Sequence, residues 1–159
     1  MGTGKTTVGT RVARRTGRKF IDADDVIEQK AGKKISMIFA EDGEPRFREL
    51  EKQIVKELSA RDGLVIATGG GVVLNPENVR NLSSSGTVVC LSATPDAILA
   101  RVGHQKHRPL LETGDKRARI VEVMEARNRL YGAIPIQVDT TLLTRDQVVE
   151  QVLKATGEC

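Results

Sequence analysis

Two periods of hydrophobic and polar residues alternate along this chain. Apolar residues recur every three or four positions in seven segments, which is the period of helices packed on one face. These predicted helices cover residues 5–16, 25–31, 36–40, 45–60, 95–102 and 116–130, and a last segment that Thr144 caps. Between the helices lie four short runs typical of strands, which read KFIDAD, LVIAT, TVVCL and IQVDT. This alternation predicts an α/β fold in which helices cover both faces of a parallel sheet.

The first residues carry most of a phosphate-binding loop. Gly4-Lys5-Thr6 matches the end of the pattern G-x-x-x-x-G-K-[ST], and a predicted helix follows at once. Backbone amides at the start of such a helix form an anion site, where Lys5 reaches the β and γ phosphates and Thr6 offers its hydroxyl to Mg²⁺. The loop therefore predicts a nucleotide site.

The first glycine of that pattern falls ahead of Met1, and a strand normally runs into such a loop. We therefore expect a further central strand upstream, which reads as about five or more apolar residues, a glycine and one or two more residues. A central strand is paired on both sides. We accordingly expect an extended protein to be more stable, and to bind ATP more tightly, than the chain that starts at Met1.

Carboxylates cluster at the end of the first predicted strand, in the segment FIDADD. The carboxyl ends of parallel strands face the crevice where ligands bind, and residues two apart on an extended segment share a face. Asp22 and Asp24 are therefore candidates for metal and substrate contacts. We assign Asp25 to capping the next helix, which is a common role of aspartate.

A loop of three glycines follows the second predicted strand, in the segment ATGGGVV. Consecutive glycines weaken local order and are useful where the backbone must approach another group closely. Arg48, Arg108 and Arg127 stand further along the chain, each either in a surface ion pair or as a ligand for an anion. The residues alone leave both possibilities open for each arginine.

Composition narrows the class of protein. The 159 residues are 39% hydrophobic and 29% charged, which is typical of one globular domain, and no apolar run is long enough to span a membrane. The net charge of +4 comes with three Phe, one Tyr and no Trp, so stacking surfaces for nucleic acid are few and we assign the charge to small anions. Two cysteines and the absence of an apolar leader favour a reducing cytoplasm.

Six motifs taken together resemble the shikimate kinase family, and they span nearly the whole chain. They are Gly4-Lys5-Thr6-Thr7-Val8-Gly9, Asp22-Ala23-Asp24, Gly43-Glu44-Pro45-Arg46-Phe47-Arg48, Thr68-Gly69-Gly70-Gly71, Arg108-Pro109-Leu110-Leu111 and Arg127-Asn128-Arg129-Leu130-Tyr131. Their order and spacing carry the resemblance, since each motif alone is short. The resemblance implies a single domain over 1–159 with the P-loop NTPase-type three-layer fold, lacking its first strand. It also implies a mobile lid at about 103–115 and a helical substrate-binding region at about 24–61.

The activity implied by the resemblance is transfer of a phosphoryl group from ATP to the 3-hydroxyl of shikimate. The products are ADP and shikimate 3-phosphate, on the route to chorismate and the aromatic amino acids. The implied catalytic residues are Lys5, Asp24 and Arg108. Asp24 would receive the proton of the attacking hydroxyl, and Arg108 would neutralise charge on the transferred group.

The binding residues implied by the resemblance form three sets. They are Asp24, Arg48, Gly70 and Arg127 for shikimate, Gly2, Thr3, Gly4, Lys5, Thr6, Thr7, Arg101 and Arg108 for the nucleotide, and Thr6 and Asp22 for Mg²⁺. Arg48 and Arg127 would hold the substrate carboxylate, and Arg101 would stack on adenine. We expect a cytoplasmic monomer with no nucleic-acid or membrane partner.

Two other functions compete with this interpretation. A gluconate-type or nucleoside monophosphate kinase shares the phosphate loop and the α/β pattern, but does not readily explain the acidic, glycine and arginine motifs together. A nucleotide-binding paralogue with impaired catalysis belongs to a different class. The charged residues of the candidate site argue against it, because drift is expected to remove them early.

Overall fold

The structure is a computed structural model that describes residues 2–102 and 115–158. Helices and strands alternate through both ranges. In chain order they are α1 (Lys5–Thr16), β1 (Lys19–Asp22), α2 (Ala23–Ala31), the single turn α3 (Ile35–Met37), a π-helical turn (Ile38–Asp42), α4 (Glu44–Ser59), β2 (Leu64–Ala67), a 3-10 turn (Val72–Leu74), α5 (Pro76–Ser85), β3 (Val89–Ser92), α6 (Pro95–Val102), α7 (Lys116–Gly132), β4 (Ile136–Asp139) and α8 (Arg145–Thr156).

Five predicted helices are confirmed to within two residues at each end, namely α1, α2, α4, α6 and α7, and α8 begins after its predicted cap. The start of α8 shows why such boundaries can be recognised from sequence. The backbone N–H of Gln147 donates to Thr144 Oγ1 at 3.3 Å, and the backbone N–H of Thr144 donates to Gln147 Oε1 at 2.9 Å. This reciprocal pair satisfies two backbone donors that a helix start otherwise leaves open.

Two helical segments differ from the prediction. The predicted helix 36–40 is instead the turn α3 followed by the π-helical turn, which closes with a 3.0 Å bond from Gly43 N to Ile38 O. The helix α5 is absent from the sequence prediction altogether. Its signal is Asn75-Pro76-Glu77, in which the Asn75 side chain accepts a 2.9 Å bond from Glu77 N and proline occupies the first turn.

The assignment of Asp25 as a helix cap is wrong. α2 begins at Ala23, and its cap is Asp22, whose Oδ1 accepts a 3.1 Å hydrogen bond from Asp24 N. A carboxylate at the cap position accepts from the second or third helical amide, and Asp22 is the residue whose extended backbone fits that geometry. The strand β1 therefore passes into α2 without an intervening loop.

The four predicted strands are present, and both pairs that they form are parallel. β1 pairs with β2 in the register Lys19 to Leu64 through Asp22 to Ala67, and β3 pairs with β4 from Val89 with Ile136 to Ser92 with Asp139. We expected a single sheet, whereas the described strands form two sheets of two strands. A sheet extends only through hydrogen bonds between strands. In the described ranges, such bonds join β1 to β2 and β3 to β4, and none joins one pair to the other. Within β2, Ala67 is buried and the other three residues are partly buried.

The chain divides into two compact units. The N-terminal unit is Thr6–Val88, and the C-terminal unit is Val89–Cys159 together with Met1–Lys5. In the N-terminal unit a core joins α2 to α4, with Ile27 and Ile54 each only 1% exposed. Burying one such side chain contributes roughly 1.5–3 kcal/mol. This core fixes the two helices that carry Asp24 and Arg48.

The C-terminal unit has a smaller core of its own. Ile98 and Val102 of α6 pack with Ile120 of α7, which is 0% exposed. The spacing of Ile98 and Val102 is one helical turn, so α6 presents one apolar face to this core. Across the described ranges, none of the helices combines the length and apolar character that a membrane crossing requires.

Candidate active site

The N-terminus of α1 is arranged to receive an anion. Its first turn holds no acidic residue, so no side chain of the helix itself offsets the positive end of the helix dipole. Gly2 and Gly4 both have positive φ, at 66° and 91°, in the loop that leads into Lys5. The hydroxyl of Thr3 is buried, and no hydrogen-bond partner for it is found among the described residues. These features fit the predicted phosphate loop.

A hydroxyl and a carboxylate meet at the start of α2. Thr6 Oγ1 donates a 3.0 Å hydrogen bond to Asp22 Oδ2, while the other carboxylate oxygen of Asp22 caps α2. Hydroxyl and carboxylate oxygens are suitable ligands for Mg²⁺, which commonly keeps several waters and uses only one or two protein ligands. The two predicted metal ligands are thus adjacent. Within 2–102 and 115–158, no cluster of three His, Cys, Asp or Glu residues competes as a metal site.

The three-glycine loop lies against two carboxylates. A Cβ added at Gly69 would come within 3.1 Å of Asp24 Oδ1 and 3.5 Å of Glu51 Oε1. Asp22 and Ala67 are register partners, so the acidic turn and the glycine loop leave the same edge of the β1–β2 sheet. Glycine at this position therefore lets the backbone approach the two acidic side chains.

The same loop contacts the guanidinium group of Arg48. A Cβ at Gly71 would lie 2.5 Å from Arg48 Nη1 and 2.8 Å from Cζ, which no real side chain tolerates. Gly71 has a φ of −87°, so its backbone conformation allows a larger residue, but the Arg48 guanidinium would have to move to make room for one. The prediction that this loop serves close approach is confirmed, and Arg48 is one of the groups it approaches.

Arg48 is held by two glutamates on its own helix. Its Nη1 donates to Glu51 Oε2 at 2.8 Å, and its Nε and Nη2 both donate to Glu44 Oε1 at 3.2 Å. Glu51 is 3% exposed, although glutamate is rarely buried unless it is paired. Glu44 and Arg48 also line a cavity of about 360 Å³, together with Pro45, Leu74 and Asn75. This cavity is an open groove at the surface.

Gly70 occupies the centre of a tight turn. The turn is closed by a 3.2 Å bond from Val72 N to Gly69 O, and the fully buried Asn78 donates from Nδ2 to Val72 O at 3.3 Å. Sequence reasoning missed Asn78 together with Glu44 and Glu51. The spacing of Glu44, Arg48 and Glu51 at i−4 and i+3 was a usable signal, because residues at these spacings are neighbours on a helix.

In the C-terminal unit, Arg101 is anchored at the end of β4. Arg101 Nη1 donates to Thr140 Oγ1 at 2.9 Å, and Nη2 donates to Thr140 O at 2.6 Å. Nη1 also lies 3.5 Å from Gly2 O, which links Arg101 to the phosphate loop. Hydrogen bonds from the Thr141 hydroxyl and amide hold the pKa of Asp139 below its ordinary value. Guanidinium, threonine and glycine groups therefore converge here.

The predicted site residues divide between the two units. The N-terminal unit contains Thr6, Thr7, Asp22, Asp24, Arg48 and Gly70, and the C-terminal unit contains Gly2, Thr3, Gly4, Lys5, Arg101 and Arg127. Arg127 is partly buried on α7. Arg108 and most of the predicted lid lie outside the described residues. The proximity of Thr6 to Asp22, and of Asp24 and Arg48 to the glycine loop, agrees with the predicted sets.

Comparison with known proteins gives the same family from sequence and from structure. The family model for shikimate kinase matches residues 1–156. The shikimate kinase of Pelotomaculum thermopropionicum is 47% identical over 96% of this chain and 89% of its own length, and that of Desulforudis audaxviator is 48% identical over 97% and 81%.

Solved structures agree over nearly the whole chain. Shikimate kinase from Acinetobacter baumannii in complex with shikimate has a TM-score of 0.92 and 35% identity, covering 97% of this chain and 87% of that one. Shikimate kinase from Aquifex aeolicus has a TM-score of 0.83 and 33% identity, covering 98% and 90%. The α/β fold expected for a phosphate-loop protein is therefore confirmed.

Proposed function

Since the chain belongs to the shikimate kinase family, we propose the roles that its residues take in phosphorylating shikimate with ATP. The reaction transfers the γ-phosphoryl group of ATP to the 3-hydroxyl of shikimate and releases ADP and shikimate 3-phosphate. The observation that carries this function is the family match across residues 1–156. The grouping of Asp24, Arg48 and the glycine loop supplies the chemistry that such a substrate requires.

The nucleotide is bound by Gly2, Thr3, Gly4, Lys5, Thr6 and Thr7. Backbone amides at the start of α1 donate to phosphate oxygens, and Lys5 neutralises charge on the β and γ phosphates. The buried Thr3 hydroxyl offers a further donor at this end of the helix. Arg101 stacks on adenine, and its three hydrogen bonds to Thr140 and Gly2 fix the plane of the guanidinium.

Thr6 and Asp22 would hold Mg²⁺ when the ion is bound. The ion, when bound, neutralises charge that develops on the phosphate oxygens. The hydrogen bond between Thr6 and Asp22 supports this role, because it keeps the two oxygen ligands 3.0 Å apart at the end of β1. Asp22 also caps α2 through its other oxygen, so its carboxylate cannot rotate freely.

Asp24 is the general base. A carboxylate within hydrogen-bond reach of a hydroxyl accepts its proton as the oxygen attacks phosphorus. The approach of Gly69 to Asp24 limits how the carboxylate can move and leaves the glycine backbone as one wall of the binding region. Gly70 takes part in that wall, and the turn around it is closed by the Gly69 to Val72 hydrogen bond.

Arg48 and Arg127 bind the carboxylate of shikimate, and Arg108 stabilises the transferred phosphoryl group. Planar guanidinium groups pair with carboxylates in forked geometry, which fixes the orientation of the ring. Charge on the transferred group is greatest in the transition state, so Arg108 acts mainly on kcat, whereas Arg127 acts on the ground state. The cavity beside Arg48 supports the carboxylate role.

A coupled assay with ATP and Mg²⁺ tests these assignments on the full-length protein. We expect shikimate to be phosphorylated, Asp24→Asn to lower kcat by at least about a hundred-fold, Arg127→Ala to raise chiefly KM for shikimate, and Arg108→Ala to lower chiefly kcat. Faster phosphorylation of gluconate or a nucleoside monophosphate would contradict the substrate. If Arg127→Ala chiefly lowers kcat and Arg108→Ala chiefly raises KM for shikimate, the roles proposed for the two arginines are wrong.

We further expect a cytoplasmic monomer that binds neither nucleic acid nor membranes. The scarcity of aromatic side chains supports the expected lack of a nucleic-acid partner. Light scattering during gel filtration measures the oligomeric state. A mass of two chains would contradict the monomer.

A further inference from the structure

The two glutamates that bind Arg48 differ sharply in exposure. The Glu51 side chain is 4% exposed and that of Glu44 is 58% exposed, while Arg48 itself is 25% exposed. A buried carboxylate that loses its cation is strongly destabilised, so Glu51 is a permanent partner of Arg48. An exposed ion pair is worth little, so Glu44 can leave Arg48 at small cost.

With both glutamates in place, the cluster of Glu44, Arg48 and Glu51 has two negative charges and one positive charge. Two carboxylates face one cation, and Nε, Nη1 and Nη2 of Arg48 each already donate a hydrogen bond. A third carboxylate that approaches Arg48 from the cavity therefore meets a repulsive environment unless Glu44 moves. Among the residues that the structure describes, Glu44 forms an ion pair with Arg48 and with no second cation.

We propose that Glu44 is a built-in competitor for the substrate carboxylate, occupying the Nε and Nη2 edge of Arg48 until shikimate displaces it. The proposal rests on the proposed role of Arg48 in binding that carboxylate. Glu44 accepts from Nε and Nη2 of Arg48, so it occupies donors that the substrate carboxylate would otherwise use. Three further contacts keep Arg48 in position when Glu44 leaves: Glu51, the Gly71 backbone and the Phe47 ring, whose centroid is 5.1 Å from Arg48 Cζ.

The direct consequence is that removing the charge of Glu44 strengthens substrate binding. An exposed pair contributes at most about 1 kcal/mol, so we expect Glu44→Gln to lower KM for shikimate by about two- to five-fold, with kcat changing much less. Glu49→Gln is the matched control. Glu49 lies on the same helix in an exposed pair with Arg46, so this variant removes one negative charge without touching Arg48. We expect it to leave KM within about 1.5-fold of wild type.

Two measurements separate this proposal from a general charge effect. In an Arg48→Ala background, Glu44→Gln should have no effect on KM, because the competed group is gone. In a direct binding assay, Glu44→Gln should bind shikimate more tightly than the wild type does. Both proteins should bind the neutral carboxamide analogue of shikimate with the same affinity. An unchanged KM in Glu44→Gln, or an equal gain for the carboxamide, would overturn the proposal. A raised KM would instead identify Glu44 as a support that orients Arg48.

Failure of the underlying role of Arg48 has a different signature. If Arg48→Ala alone leaves KM for shikimate unchanged, the carboxylate assignment is wrong and the Glu44 test loses its premise. If Arg48→Ala raises KM while Glu44→Gln does not lower it, only the competition by Glu44 is wrong. Thermal unfolding of each variant verifies folding. We expect little change for Glu44→Gln because Glu44 is exposed, and a lower Tm for Arg48→Ala because the buried Glu51 loses its cation.

Discussion

At the scale of single residues, the contact between Gly71 and Arg48 leaves no room for even one methyl group. We expect Gly71→Ala to push Arg48 away from its position, because the new Cβ would lie 2.5 Å from Nη1. A charge-assisted hydrogen bond contributes about 1.5–3 kcal/mol, so KM for shikimate should rise by about ten-fold or more. Steady-state kinetics measures this change.

Gly132→Ala is the control for that substitution. A Cβ at Gly132 meets no atom within 4 Å, and its φ is not positive, so the change adds a methyl group without strain. We expect wild-type kinetics. If Gly71→Ala also keeps the wild-type KM, Arg48 is free to shift without consequence and its proposed role loses support.

Which candidate residues are neighbours was predictable where a residue lies at a strand end or in a known loop. Thr6 and Asp22 were both predicted as metal ligands, and they are hydrogen-bonded to each other. Glu51 was missed because a glutamate at i+3 from an arginine usually lies on the surface. Only the packing of α4 shows that this one is buried.

At the scale of elements, several boundaries followed from capping chemistry, and one error arose where three candidate caps competed. FIDADD offers three aspartates, and the sequence does not tell which one has the extended backbone of a cap. The missed helix α5 carried a clear Asn-Pro-Glu start, but its following residues NVRNLSSS have a weak apolar pattern. Helices supported mainly by their start signal are therefore easily overlooked.

Glu28 connects α2 to α3 and makes their junction sensitive to pH. Burial raises the pKa of its carboxyl, but hydrogen bonds from Lys34 Nζ at 2.8 Å and Ile35 N at 3.0 Å outweigh burial, so the pKa lies below its ordinary value of 4.5. A carboxyl with a lowered folded pKa stabilises the protein above its unfolded pKa. This stabilisation is lost as pH falls through the folded pKa.

We therefore expect Glu28→Gln to lower the free energy of unfolding at pH 7 by about 1 kcal/mol, and the deficit to shrink as the pH falls below 4.5. Glutamine still accepts from Ile35 N, so the difference reports the ion pair with Lys34. Urea unfolding of both proteins at pH 7 and at lower pH measures it. Glu125→Gln, an exposed change on α7, is the control. A deficit that is equal at all pH values would contradict the ionic origin.

At the scale of the whole molecule, the alternation of helices and strands was enough to predict the α/β class and the parallel direction of the strands. It was not enough to predict which strands pair. β1 joins β2 and β3 joins β4, and that choice depends on contacts between residues more than forty positions apart. Local patterns carry no information about such partners.

Ligand binding offers a test that involves the whole molecule. We expect MgATP at a hundred times its Kd to stabilise the protein by about 2.7 kcal/mol, because a ligand that binds only the folded state shifts the unfolding equilibrium. The Tm should rise by roughly 5–11 °C, and Lys5→Met should abolish most of that rise.

Lys52→Met is the matched control, because Lys52 is an exposed lysine paired with Glu77 on the surface. It should keep the full MgATP shift. A Lys5→Met protein that also keeps the full shift would contradict the assignment of Lys5 to the phosphates.

Asp22 performs two tasks with its two carboxylate oxygens, capping α2 with one and accepting from Thr6 with the other. A descendant of this chain that lost phosphoryl transfer would still need the cap for folding. Selection would then retain the aspartate long after its metal role had disappeared. The presence of this aspartate in a relative is therefore weak evidence that the relative is an active enzyme. Lys5 and Asp24, which cap no described helix, are the residues whose loss would report the decay of catalysis.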